Sequence, residues 1–102
     1  MEIPRSDAML AALDRVIAVA DETDESAAFE APVREFWQVF FAECDARGLC
    51  HEWPPLVVLL WLEQGLLADA SLPVDDRINY AAAVATIRQY IEFCRHERAR
   101  LN

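Results

Sequence analysis

A single all-α domain, either a four-helix antiparallel bundle or an irregular helical bundle, is the fold this sequence predicts. Three observations lead there. The chain has 102 residues and a mass of 11.6 kDa, enough for one modest core and too short to divide into domains, so residues 1–102 read as one unit. Two glycines and five prolines are too few for a β-sandwich or barrel, which needs a turn signal roughly every 8–12 residues. Apolar residues recur at helical spacing in four successive stretches separated by short connections. At 55% apolar composition the chain can bury enough surface to fold, which excludes disorder.

The first helix opens at Ser6, a side chain suited to capping, with Asp7 near the positive end of the helix dipole. Met9, Leu10, Leu13, Val16, Ile17 and Ala20 form one apolar stripe, and the helix should stop near Asp21. Asp21-Glu22-Thr23-Asp24-Glu25-Ser26 reads as a loop in which Thr23 or Ser26 caps a short turn. The path of residues 22–32 has an alternative, one continuous helix kinked at Pro32. Pro32 suits the first turn of the second helix, because that position has no use for an N–H. Its stripe is Val33, Phe36, Trp37, Phe40, Phe41 and Cys44. Arg47-Gly48-Leu49 is a stop signal, with glycine in the left-handed position and Leu49 folding back on the last turn.

Pro54 and Pro55 start a third helix, whose run from Leu56 to Leu62 is apolar on every side. It should fray by Gly65 or shortly after Leu67. The last helix starts near Val74 or Asp75 and extends toward Arg100. Tyr80, Val84, Ile87, Ile91 and Cys94 form its stripe, and Ile78, Ala81, Ala82 and Ala85 should pack against a nearer neighbour. Short loops between four helices predict up-down-up-down connectivity.

The net charge is −9, from eighteen acidic residues and nine arginines, with no lysine. Residues 1–52 hold twelve acidic and four basic side chains; residues 53–102 hold six and five. A phosphate backbone is bound by basic clusters, so direct nucleic-acid binding is not expected. An acidic half steers basic partners and repels acidic ones, and it also keeps a small protein in solution. The longest apolar run, Pro54 to Leu62, is about half of the ~20 residues a membrane span needs. No secretory signal pattern is visible, and three cysteines without a disulfide spacing fit a reducing cytoplasm.

With up-down-up-down connectivity, Cys44, Cys50, His51, Cys94 and His96 would converge at one pole, a candidate for metal binding or redox sensing. Their spacing is not that of known structural zinc sites, and Cys44 and Cys94 lie on apolar stripes where a cysteine packs as a small hydrophobe. No metal or cofactor is therefore expected. Phosphate-cradling loops and nucleophile elbows are missing, and no residues are expected to be catalytic.

The aromatic residues carry more information. A helix apolar on all sides cannot be enclosed in a bundle this small, so some of Trp37, Val39, Trp53, Leu56 and Leu60 should reach the surface. Tryptophan is a favoured interface anchor. The reading is a non-enzymatic, acidic, cytoplasmic protein that binds and blocks a basic partner through Asp21, Glu22, Asp24 and Glu25, with Trp37 and Trp53 as anchors. It resembles immunity proteins, antitoxins and phage-encoded inhibitors in physique, as a type and not as a family. The alternatives are the cysteine–histidine bundle and a homodimeric structural or adaptor module closed by the aromatic patch.

Overall fold

The chain, described by a computed structural model over residues 6–48 and 52–101, is all-helical across those residues. Its elements are α1 (Asp7–Glu22), a one-turn 3-10 helix (Ser26–Phe29), α2 (Glu30–Ala46), α3 (Pro55–Ala68) and α4 (Val74–Leu101). Local chemistry accounts for the boundaries. The Ser6 hydroxyl accepts the Met9 N–H at 3.3 Å and so caps α1. It also donates to Glu43 at 2.8 Å, which ties the start of α1 to the end of α2.

Thr23 takes an extended conformation, φ −157° and ψ 157°, and ends α1, so no continuous helix runs to Pro32. The Thr23 hydroxyl accepts the Glu25 N–H at 3.1 Å and shapes the turn into the 3-10 helix, while Ser26 makes no side-chain cap. Phe29, at 7% exposure, anchors that turn in the core. Gly48 ends α2 with φ +66°, a left-handed conformation that costs glycine nothing. Leu49 lies outside the described residues. Pro54 caps α3 and Pro55 is its first residue. Asp69 accepts both the N–H and the hydroxyl of Ser71, at 2.9 and 2.6 Å, and turns the chain into α4.

The helices lie in the spatial order α2, α1, α4, α3. α1 and α2 are antiparallel: Ser6 meets Glu43 and Arg15 meets Glu35. α1 and α4, by contrast, run in the same direction. Asp14 meets Tyr80, and further on Ala20 and Thr23 wall a cleft with Thr86 and Tyr90. The up-down-up-down expectation is thereby corrected, and the irregular form of the bundle is the one adopted. The eight-residue connection 47–54 is long enough to return the chain along α2 before α3 begins, which a tight turn would forbid.

The core is built from Met9, Leu13 and Val16 of α1, Phe36, Phe40 and Cys44 of α2, Val58, Leu59, Leu62 and Leu66 of α3, and Ala83, Val84 and Ile87 of α4. Two expectations for α4 fail. Ile78 is 55% exposed and Ala82 is exposed, because α4 turns its buried stripe between α1 and α3 and leaves these two outside. Ala12, and not Ala20, completes the stripe of α1.

Phe36 is fully buried, so Phe36→Ala should cost about 3–5 kcal/mol in chemical denaturation. Ser6→Ala should cost about 1 kcal/mol through the lost cap. A Phe36→Ala loss below the Ser6→Ala loss would show that this core is not the one described.

Candidate functional site

The acidic segment and the two tryptophans stand on one connected stretch of surface. Asp21 and Glu22 close the last turn of α1, and Asp24 and Glu25 follow in the loop; all four are exposed. Most nearby carboxylates are matched. Glu35 takes a two-pronged ion pair from Arg15, with the Nε–Oε2 distance at 2.7 Å. Glu30 pairs with Arg34, Glu43 with Arg47 and Glu63 with Arg88. Among the described residues no arginine reaches Asp21, Glu22, Asp24 or Glu25. Asp21 and Glu22 also sit at the negative end of the α1 dipole, with no basic residue in that last turn, a placement helices ordinarily avoid.

Three clefts follow from this segment. The first, of about 390 Å³, lies between the loop and α4 and is walled by Asp24, Phe29, Tyr90 and Phe93. The second, of about 290 Å³, lies between Trp37 and the C-terminal part of α4, with Tyr90, Cys94, Arg95 and Arg98 in its walls. The third, of about 450 Å³, is lined by Trp37, Phe41, Trp53 and Pro55. Tyr90 belongs to the first and second clefts, and Trp37 and Pro55 to the second and third. Shared wall residues set the three separate clefts in a row, an interrupted aromatic channel that begins at Asp24.

Ring packing holds the walls. Trp37 meets Phe36 edge-on at 5.0 Å and Phe40 edge-on at 5.6 Å, and stacks on Phe41 at 6.0 Å. Trp53 meets Trp61 edge-on at 5.9 Å. Trp37 and Trp53 are half-buried, each with a face left to the channel, and Phe41 and Phe93 are 40% and 44% exposed. Burial, the hydrogen bond to Cys94 and the nearby Cys94 and Glu30 push the Tyr90 hydroxyl above its ordinary value; Arg34 opposes this. Burial and the Asp14 and Asp76 carboxylates do the same for Tyr80.

Of the predicted site residues, Asp24, Trp37 and Trp53 line the channel; Asp21, Glu22 and Glu25 flank its mouth on the same segment. Val39 and Leu56 are half-buried, and Leu60 is 45% exposed. Tyr90, Phe93, Arg95 and Arg98 also wall these clefts and are not among the residues expected from the sequence. Their signal was the change along α4 from alanine at 81–83 to large side chains beyond 89, which marks where a close neighbour ends.

The cysteine–histidine pole is corrected. It rested on α2 and α4 running together, and they run in opposite directions. Cys44 is fully buried in the α2 stripe. Cys94 lies beside Trp37, about two turns of α2 away, and His96 is exposed. Cys50 and His51 lie outside the described residues. Among the described residues no three His, Cys, Asp or Glu side chains are placed to hold a metal ion, and no helix is long and apolar enough to cross a membrane.

No protein-family model matches this chain, no curated protein matches its sequence, and no solved structure matches its fold.

Tyr80 and Tyr90 both have a raised pKa in the folded state, so the protonated phenols favour folding. That contribution is complete below their ordinary value of 10.0 and drains away as pH rises through the higher folded values. Stability should therefore fall on the alkaline side of about pH 10. The Tyr80→Phe, Tyr90→Phe double variant should show a shallower decline in thermal melts; an unchanged slope would count against the shifts.

Proposed function

We propose that this chain is a non-enzymatic protein-binding module that blocks a partner with a basic surface, as immunity proteins, antitoxins and phage-encoded inhibitors do. The observation that carries this reading is the set of four exposed carboxylates at 21–25 that no arginine among the described residues neutralises, two of them at the unfavourable end of α1. Four such carboxylates within five residues keep a local negative field. That field accelerates encounter with a basic surface. The aromatic channel beginning at Asp24 then supplies desolvated anchors, with Trp37 shared by two of its clefts. The partner's cations would relieve the repulsion at the end of α1, so part of the cost carried in the unbound chain is recovered on binding.

The test is capture from a lysate of the source cells with three baits compared side by side. The wild type should retain one stoichiometric basic protein. Asp24→Arg with Glu25→Arg should slow its association at least tenfold and flatten the salt dependence, and Trp37→Ala should speed its release. An acidic partner, or equal capture by the charge-reversed bait, would refute the reading. A second measurement needs no partner. Asp21→Asn with Glu22→Gln should stabilise the fold by about 0.3–1 kcal/mol by removing charge from the wrong end of the dipole. A destabilised double variant would mean these carboxylates serve the fold.

A further inference from the structure

The second cleft, of about 290 Å³, is walled by Arg95 and Arg98 together with Trp37, Pro55, Tyr90 and Cys94. Ile91, Cys94, Arg95 and Arg98 follow i, i+3, i+4, i+7 spacing, so one face of α4 delivers both arginines to it. Five other arginines have described side chains. Arg15, Arg34, Arg47 and Arg88 pair with carboxylates, and the Arg77 Nε donates to the Leu72 carbonyl at 2.8 Å. Among the described residues Arg95 and Arg98 have no such partner, although Glu92 and Glu97 stand on the same helix. On a chain with eighteen carboxylates for nine arginines, two neighbouring guanidiniums without a carboxylate are an exception.

Helix chemistry does not account for this pair. A cation offsets the helix dipole only within the last turn. α4 extends to Leu101, so Arg95 stands more than a turn too early. A partner with a basic surface does not account for it either, because two guanidiniums repel such a surface. For an anion the cleft offers more than two charges. Pro55 begins α3 and brings the positive end of that dipole to the same space. The Trp37 ring is held by Phe36, Phe40 and Phe41, so the apolar wall is formed before anything binds. Apolar walls with a few convergent polar groups are the usual form of a small-molecule site, and this volume matches the lower end of their range.

We infer that this cleft binds a small aromatic carboxylate, its ring against Trp37 and its carboxylate held by Arg95 and Arg98. Charge selects the occupant. The guanidinium fork matches a carboxylate with two parallel hydrogen bonds. A phosphate fits the same fork, but its second negative charge is repelled further by a chain of net charge −9. The same field opposes an acidic macromolecule, which brings many charges at once. A ligand with one negative charge and an apolar body meets the least repulsion and uses both halves of the cleft. Ring packing on the indole supplies the rest of the binding. Asp24 is not in these walls, so the inference does not rest on the protein-binding reading.

Heteronuclear NMR read at the Trp37 indole N–H tests the inference, with naphthoate as probe and naphthamide as its uncharged counterpart. Naphthoate should shift that resonance saturably, and naphthamide should bind about tenfold more weakly or worse. Arg95→Gln with Arg98→Gln should reduce the naphthoate affinity to that of naphthamide, with naphthamide binding and the helical circular dichroism unchanged. Should that variant unfold, Arg95→Gln alone decides in its place. The Asp24→Arg, Glu25→Arg variant should still bind naphthoate, which separates this site from the acidic segment. Acetate and inorganic phosphate should shift the resonance no more than sodium chloride at equal ionic strength. A wild type that does not bind naphthoate, or binds it no better than naphthamide, overturns the inference. So does a folded glutamine variant with undiminished affinity. Tighter binding of inorganic phosphate or of poly-glutamate than of naphthoate overturns it as well, the latter by assigning the arginines to an acidic protein.

Discussion

Everything in this bundle leans on the narrowness of α4 in its first half. Ala81 and Ala83 are almost completely buried and Val84 and Ile87 completely so. Small side chains let a helix take neighbours at the short end of the usual 8–10 Å axial separation, and α4 takes α1 and α3 at once. Beyond Ile87 the side chains become large, at Tyr90, Ile91 and Phe93, and none of these three is fully buried. The aromatic channel opens at that point. It is the place where close packing stops, still walled by residues of the kind that fill the core.

Charge follows a similar division. Arg15–Glu35 joins α1 to α2, Arg88–Glu63 joins α4 to α3, and Arg34 and Arg47 pair one turn back along α2. Exposed pairs of this kind are worth only about 0–1 kcal/mol each, so their main effect is on the field and not on stability. They cancel charge along α2 and where it meets α1, and among the described residues they leave the four clustered carboxylates of the α1–α2 connection unpaired. The electrostatic pole and the open end of the channel therefore coincide at Asp24.

Boundaries were legible in the sequence because they are local chemistry. Ser6, Gly48 and the Pro54-Pro55 pair act within a turn of themselves, and they stop or start helices where expected. Helix direction was not legible. The five residues 69–73 force α3 and α4 to be antiparallel, whereas the eight residues 47–54 allow α3 to begin at either end of α2. That one ambiguity misplaced the cysteines and the second side of α4. Asp24, Trp37 and Trp53 fall on one surface, as residue type alone suggested. Tyr90, the residue that joins them, depends on the relative direction of α1 and α4 and so had no local signature.

The parallel pairing of α1 with α4 has a consequence for how the chain is made. Asp14 and Tyr80, which meet in the finished bundle, are 66 residues apart. Contacts of such separation form late, because the loop between them must be closed before they give anything back. A chain growing from its N-terminus holds α1 and α2 as a helical hairpin, with the aliphatic face of α1 bare, until the first half of α4 has been synthesised. During translation this protein is an unfinished surface for nearly its whole length, and its folding is gated by its last helix.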